Sequence, residues 1–361
     1  MILYGARQVG KTTLVREIQK KYESNSIYLN CDEPDIRYAL ESKTSTEIKS
    51  FFGNNKLVIL DEAQRIMNIG LTLKLVADNF PDIQVIATGS SSFELSNKIA
   101  ESLTGRKYEF FLYPFSLEEL KPIYSELEMD RLLEEKMIFG MYPEIILGGD
   151  EKQKKLKSLA RSYAYKDILQ FQNIKNPDVL EKLLQALALQ IGNEVSYNEL
   201  AAMVGVTKNT VENYVRILEQ AFIIFRLTPF SRNLRNELKK LRKIFFYDTG
   251  IRNALINNFN PLNLRSDVGA LWENFLIAER MKLLNNHEIE AKGYFWRTQQ
   301  GQELDYLEDS GEKIQAVELK YKKDKFKTPK SFSDAYPDAE VKLINKSNYK
   351  DFVFNTSLLQ K

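Results

Sequence analysis

Apolar positions along the chain change their period several times. Residues 1–4 form a short unbroken apolar run, read as the end of a strand, that breaks at Gly5 into a glycine-bearing loop. A helical stretch over 13–22 follows. Two further unbroken runs, 56–62 and 83–87, predict buried strands, because strands of a parallel sheet covered on both faces lose the apolar–polar alternation. Helical periodicity returns over 156–172 and 177–191. Segments 197–204 and 207–218 then read as two helices joined at Gly205, with Thr207 as the N-cap of the second. Strands are predicted at 222–227 and 243–247. Near the C-terminus a helix around 271–276 precedes aromatic and apolar alternation at 294–297, 303–307 and 315–320, which predicts three strands of a mixed sheet.

Composition narrows the class. At 361 residues the chain is too long for one ordinary core, so two to three domains are expected. Its net charge is only +2, so nothing about the whole chain demands a polyanionic partner, and any nucleic-acid surface has to be local. Apolar stretches such as 221–225 fall far short of the roughly 20 residues of a membrane helix. The glycine-rich loop begins too early for the pattern of a signal peptide. One cysteine, Cys31, and one histidine, His287, make neither a disulfide nor a zinc cluster, and Cys31 reads as a small buried residue. The expected compartment is the cytoplasm, with no membrane contact.

Chemistry is concentrated near the N-terminus. Gly5-Ala6-Arg7-Gln8-Val9-Gly10-Lys11-Thr12 is a phosphate loop in its required context of strand, loop and helix. Its glycines let successive N–H groups turn toward phosphate oxygens, and the helix opening at Thr13 adds its positive dipole. Lys11 is expected to reach the β- and γ-phosphates of ATP and Thr12 to ligate Mg²⁺. The run 56–62 delivers Asp61 and Glu62 at the carboxyl end of a strand. Asp61 would hold Mg²⁺, directly or through water, and Glu62 would polarise the attacking water. A hydrolase needs that second acid and a kinase does not. The strand 83–87 ends in Thr88-Gly89-Ser90, and Ser90 is the residue expected to sense the γ-phosphate.

These residues, with Leu60-Asp61-Glu62-Ala63-Gln64, Leu103-Thr104-Gly105-Arg106 and Phe111-Leu112-Tyr113-Pro114-Phe115-Ser116, resemble a widespread group of bacterial and archaeal AAA+-type P-loop ATPases. The resemblance implies an arginine that contacts the γ-phosphate within its own subunit or across to a neighbour, and Arg106 matches it; the alternative is a surface pair with Glu101 or Glu109. A homo-oligomer is compatible with either. Members of the group carry residues ahead of the phosphate loop, whereas this sequence opens four residues before Gly5. Part of the adenine pocket would then be missing, so weak nucleotide binding would not count against the assignment.

The C-terminal half gives weaker signals. Ala201, Gly205, Val211 and Tyr214 fall at the small, turning and core positions of a helix-turn-helix, and the strands after it would form the wing of a winged helix. The connection between those strands holds Arg232, Arg235, Lys239, Lys240, Arg242 and Lys243 against Glu237, a basic loop suited to nucleic acid or to a protein contact. Asp167, with Lys166, could serve the nucleotide site or lie on a solvated helix face. Asp305 and Glu318-x-Lys320, one strand and a tight turn apart, place two carboxylates and an amine at one sheet edge, as metal-dependent phosphodiester cleavage requires. Glu273 could add an outer ligand. This part resembles the PD-(D/E)xK nuclease fold and, in the ATPase group, a C-terminal domain of unknown function. Lys320, Lys322, Lys323, Lys325, Lys327 and Lys330 would suit a phosphate backbone or an ordinary solvent-facing loop.

The expected architecture is α/β. An AAA+-like P-loop domain (1–138) leads to a helical connector (139–190), a winged helix (191–255) and a restriction-endonuclease-like α/β domain (256–361), with 139–144 as a hinge. The expected function is Mg²⁺-dependent ATP hydrolysis coupled to a conformational change in a C-terminal half that contacts DNA or RNA. The alternatives are an ATP switch with a protein partner and an ATP-controlled metal-dependent nuclease.

Overall fold

Five parallel strands organise the first of two units into which the chain divides, Met1–Tyr113 with Gln220–Phe222. The computed structural model describes residues 1–89, 103, 105–162, 176–230, 242–311 and 313–356. The strands are β1 (Ile2–Gly5), β2 (Ser26–Asn30), β3 (Leu57–Asp61), β4 (Gln84–Gly89) and β5 (Glu109–Leu112), in the spatial order β2-β3-β4-β1-β5. Parallel neighbours need crossovers, and four helices lie between the first four strands: α1 (Lys11–Lys20), α2 (Pro34–Leu40), α3 (Ser45–Phe52) and α4 (Ile69–Asn79). α1 packs on β2, β3 and β4. Its Val15 joins Leu3, Leu57, Ile59 and Ile86 in one apolar cluster. Burial of such side chains, worth about 1.5–3 kcal/mol each, is why the unbroken run at Leu57–Asp61 sits inside the sheet.

Cys31 follows β2 and is fully buried. Burial, reinforced by the nearby Asp61, Asp32 and Glu62 charges, pushes its thiol up to about 12. The native protein is therefore expected to resist a thiol-specific chromogenic reagent at pH 8 and to react with one equivalent once unfolded in denaturant. Rapid labelling of the folded protein would contradict this packing.

The second unit, Pro114–Glu219 with Ile223–Lys361, is built on a mixed sheet. Helices α5 (Leu117–Leu120), α6 (Glu126–Phe139), α7 (Pro143–Ile146), α8 (Lys152–Ser162), α9 (Pro177–Leu189), α10 (Tyr197–Val204) and α11 (Lys208–Gln220) lead to β6 (Ile224–Pro229) and β7 (Lys243–Phe246). After α12 (Thr249–Leu255) and α13 (Val268–Asn286) come β8 (Lys292–Arg297), β9 (Glu303–Asp309) and β10 (Ile314–Leu319). The chain then runs through α14 (Lys330–Ala335), β11 (Glu340–Ile344) and α15 (Tyr349–Val353). Strand order is β11-β10-β9-β8-β6-β7. Strands β8, β9 and β10 form an antiparallel meander, while β11 pairs with β10 in parallel. Trp296, Leu304, Leu307, Ala316, Phe332 and Tyr336 form a core cluster.

Two expectations are corrected here. β6 and β7 do pair antiparallel, but the far end of β6 also pairs in parallel with β8, Thr228 opposite Tyr294 and Pro229 opposite Phe295. The strands expected as a separate wing are thus part of the C-terminal sheet, and positions 138, 190 and 255 all lie in the second unit. The expected hinge is pinned as well. Gly140 ends α6 at φ 74°, where a Cβ would lie 2.1 Å from Asp248 Oδ1, and the Met141 N–H donates to Asp248 Oδ2 at 2.6 Å. Only glycine fits that left-handed, crowded position. The two helices α10 and α11 meet at Gly205, left-handed at φ 74°, and Thr207 Oγ1 accepts from the Thr210 N–H at 3.2 Å.

A buried ionic network joins the helices of this unit. Asp267 accepts from Arg252 Nη1 (2.5 Å) and from Arg265 Nε and Nη2 (both 2.8 Å). Arg252 Nε also donates to the Ala188 carbonyl, and Asn253, which accepts from Arg265, donates to the carbonyls of Met137 and Ile138. Burial opposes the Asp267 charge, but the two guanidiniums overcome it and hold the carboxyl down to about 2. An unfolded aspartate titrates near ~3.9. The stabilisation is therefore complete above about pH 4 and is lost as pH falls through about 2, a span worth about 2 kcal/mol. Urea midpoints between pH 5 and pH 2 should fall further for wild type than for Asp267→Asn, which begins destabilised; equal slopes would remove Asp267 from the account.

Candidate functional site

The carboxyl ends of β1, β3 and β4 carry the first candidate site. β4 lies between β1 and β3, with Leu60 opposite Ala87 and Leu3 opposite Thr88, so Thr88 arrives beside Asp61. Asp61 is 4% exposed and is the centre of a hydroxyl shell. Thr12 Oγ1 donates to its Oδ2 at 2.7 Å, Tyr28 Oη donates to the same oxygen at 2.5 Å, and the Thr88 hydroxyl donates to Oδ1. Thr88 Oγ1 also accepts from the Glu62 N–H at 3.1 Å, tying both acids to the end of β4.

The phosphate loop itself is tightly folded. A Cβ on Gly5 would come within 2.2 Å of the Leu112 carbonyl on β5, so that position requires glycine. Gln8 and Gly10 both have positive φ, 57° and 101°, which turns the loop into α1. Lys11 is buried, and its ammonium donates to the carbonyls of Gly5 (2.8 Å) and Ala6 (2.7 Å). Ala6 and Val9 are buried, Arg7 and Gly10 half-buried, and Gln8, Thr12 and Thr13 exposed. Glu62 is half-buried and left-handed at φ 56°, and its Oε2 accepts from Gln64 Nε2 at 2.5 Å. A non-glycine residue held there marks a position where the surroundings over-determine the backbone.

The donor set suits Mg²⁺: a buried carboxylate and a threonine hydroxyl, both oxygen ligands, stand together at the mouth of the loop. Thr12 and Asp61 are thus brought together with Lys11 and Glu62 at one end of the sheet. Arg106 is not. Its Nε pairs with Asp78 on α4 at 2.9 Å rather than with Glu109, while Glu101 lies outside the described residues, and it lines a cavity of about 210 Å³ with Met1, Ile2, Gln84 and Val85, at the amino ends of β1 and β4. A four-residue strand separates those ends from the loop by roughly 13 Å. Ser90 and Asp167, like Arg232, Arg235, Lys239 and Lys240, lie outside the described residues. The sequence reading passed over Thr88 and Tyr28. Thr88 had a signal, a polar residue closing an apolar strand two positions before Ser90; Tyr28 had none, since a tyrosine in a half-buried strand is ordinary.

The C-terminal carboxylates converge in the second unit. Lys320 Nζ lies 3.2 Å from Asp305 Oδ2 and 2.6 Å from Glu318 Oε1, and the Leu319 N–H also donates to Asp305 at 2.8 Å. Glu273, buried on α13, turns instead to Lys243, whose ammonium is 3.0 Å away and also pairs with Glu303. Burial, with Asp305 and Glu303 adding to it against Lys243, raises the Glu273 carboxyl to about 8. Burial likewise raises Glu318, whose Oε2 has no hydrogen-bond partner among the described residues. Two expectations change. Arg242 and Lys243 do not extend the basic loop: Lys243 is buried and Arg242 lies over the Tyr197 ring, 3.9 Å from its centroid. Glu273 does not join Asp305 and Glu318 as an outer ligand, because Lys243 holds it, while Lys320 stands between Asp305 and Glu318 as the amine expected there. Among the described residues no group of three or more His, Cys, Asp or Glu side chains is disposed to hold a metal ion. Lys322, Lys323, Lys325, Lys327 and Lys330 are exposed.

Comparisons with known proteins match three stretches of the chain. Residues 1–121 match a family described as an AAA domain, while residues 130–262 and 268–358 match two domains of unknown function. An uncharacterised protein of Methanocaldococcus jannaschii is 27% identical, covering 95% of this chain and 80% of its own length. An uncharacterised protein of Mycobacterium tuberculosis is also 27% identical, over 86% of this chain and 68% of its own. Among solved structures, the Aeropyrum pernix ORC1 protein in complex with DNA aligns at 14% identity over 71% of this chain and 86% of its own, with a TM-score of 0.34, too low to bear on fold or ligand. The first unit is an AAA-type domain with a P-loop, and no helix among the described residues is long and apolar enough to cross a membrane.

Proposed function

We propose that the first unit binds ATP with Mg²⁺ and hydrolyses it, and that its nucleotide state drives a conformational change in a C-terminal half that takes a nucleic-acid backbone. The observation that carries the proposal is the shell around Asp61, in which hydroxyls from α1 and β4 fix the acid beside Glu62 and the phosphate loop. Backbone N–H groups from Ala6 to Thr13 cradle the phosphates, and Lys11 exchanges the carbonyls of Gly5 and Ala6 for phosphate oxygens. Thr12 and Asp61 hold Mg²⁺, which supplies charge neutralisation at the β- and γ-phosphates. Glu62 gives up its bond to Gln64 to orient a water and draw off its proton. Ser90 remains the candidate γ-phosphate sensor. Arg106 lies too far from its own loop and is proposed to act on a neighbouring copy.

For the C-terminal half, the exposed lysines from Lys322 to Lys330 and the exposed Lys208 and Arg216 of α11 support a phosphate backbone as ligand. The inward turn of Arg242 and Lys243 supports the second reading, an ATP switch acting on a protein partner. Metal-dependent cleavage draws less support, since Lys243 holds Glu273 and no group of three acids among the described residues is disposed to hold a metal ion. The test is phosphate release from Mg·ATP with and without DNA, together with anisotropy of labelled DNA at two salt concentrations. Turnover with steeply salt-dependent binding is the expected result. Turnover without binding favours the protein partner, and no turnover overturns the hydrolase.

A further inference from the structure

The third hydroxyl on Asp61 comes from outside the phosphate-loop machinery. β2 pairs in parallel with β3, and the register sets Asn30 opposite Asp61 and Tyr28 opposite Ile59. Tyr28 therefore starts two residues short of the acid along the neighbouring strand, a span its ring covers to place Oη 2.5 Å from Asp61 Oδ2. The ring is held from the other side. Arg16 lies on α1 one turn beyond Thr12, and its guanidinium carbon sits 3.3 Å from the Tyr28 ring centroid. Positions four apart share a helix face, so α1 presents Thr12 to the carboxylate and Arg16 to the ring that contacts it. Burial and the Asp61 bond both push the Tyr28 phenol up, so it remains a proton donor at any working pH.

An ionised carboxylate offers about four lone-pair sites. Thr88 takes one on Oδ1, and Thr12 with Tyr28 take both on Oδ2. A threonine hydroxyl can donate its proton to Asp61 and still present a lone pair to a metal, so the Thr12 bond is compatible with Mg²⁺. The Tyr28 bond has no such second use; it fixes the plane of the carboxylate and leaves one acceptor site on Oδ1.

We infer that Tyr28, backed by Arg16, is a positioning residue that holds the Asp61 carboxylate in the orientation the nucleotide's Mg²⁺ requires. This rests on the nucleotide reading given above. In this role Tyr28 acts through Asp61, to which its hydroxyl is bonded, and needs no contact of its own with nucleotide or metal. Outer partners of a metal-holding carboxylate commonly alter metal affinity by about 10–100-fold when removed.

The test is ADP binding by the full chain, followed calorimetrically across a Mg²⁺ titration, with Mn²⁺ uptake by the protein–ADP complex read by electron paramagnetic resonance. Tyr28→Phe should need about tenfold more Mg²⁺ for half of the metal-dependent gain in affinity, with ADP binding in EDTA unchanged. Arg16→Ala, a change at an exposed side chain, should shift the same midpoint in the same direction by less. Equal midpoints in wild type and Tyr28→Phe would overturn the inference while leaving the nucleotide site intact. A drop in melting temperature without a change in midpoint would make the bond purely structural and overturn it too. If wild type shows no Mg²⁺-dependent nucleotide binding, the nucleotide reading falls first and this one with it.

Discussion

Lys11→Ala and Glu62→Gln should each lower Mg²⁺-dependent phosphate release from ATP by about a hundredfold or more, for different reasons. Lys11 carries the one side-chain charge of the phosphate loop that already lies buried against the loop's own carbonyls. Its removal withdraws positive charge from ground and transition states alike, so nucleotide affinity and turnover fall together. Glu62 acts on the water. Glutamine keeps the shape and the backbone bond from Glu62 to Thr88 but cannot take a proton, so turnover is lost while Mg·ATP binding survives. Phosphate release at saturating ATP, beside nucleotide affinity from a fluorescent analogue, separates the two. Wild-type turnover in Glu62→Gln would shift water activation to another group. No turnover in wild type would leave a nucleotide-binding switch as the better account.

The largest expected loss of stability lies at Arg280. Its side chain is completely buried on α13, with Nε and Nη2 on the two oxygens of Glu308 at 2.8 and 2.7 Å. The same guanidinium donates to the carbonyls of Phe352, Asn355 and Thr356, fastening the end of α15 and the segment after it to α13. Arg280→Ala leaves the buried Glu308 carboxylate without its charge partner, with only the Tyr306 hydroxyl donating to it, and strips the arginine's donors from three carbonyls, at a cost of about 3–5 kcal/mol in a denaturant titration. Breaking an ion pair is not the same as replacing it. Arg280→Met combined with Glu308→Leu should regain a large part of that loss, because neither ion then pays for desolvation. A double variant as unstable as Arg280→Ala would show that the carbonyl bonds, not the ion pair, dominate.

The sequence was most legible where the chemistry is contiguous. The phosphate loop and the Asp61-Glu62 pair each need one short stretch, and their neighbourhood follows from strand–loop–helix order. What escaped depends on register between distant strands. Thr88 meets Asp61 only because β4 separates β1 from β3, and Tyr28 only because β2 pairs with β3. Lys243 read as part of an exposed basic loop because its neighbours in sequence are basic. Its burial comes from Glu273 and Glu303, which lie 30 and 60 positions further on. The two strands β6 and β7 were legible as a pair, but no local pattern says that an edge of such a pair will accept a further strand from residue 294 onward.

That shared sheet limits how the protein can be divided. The contact between β6 and β8 puts two strands of the C-terminal sheet, β6 and β7, on the far side of position 255. A fragment started at 256 would bare the edge of β8, a ready template for pairing with other chains, and would strand Glu273 and Glu303 without Lys243. Chimaeras between relatives, or recombination between their genes, would have to keep residues 223–356 from one parent. The smallest exchangeable module in this half is thus larger than the matched C-terminal family at 268–358.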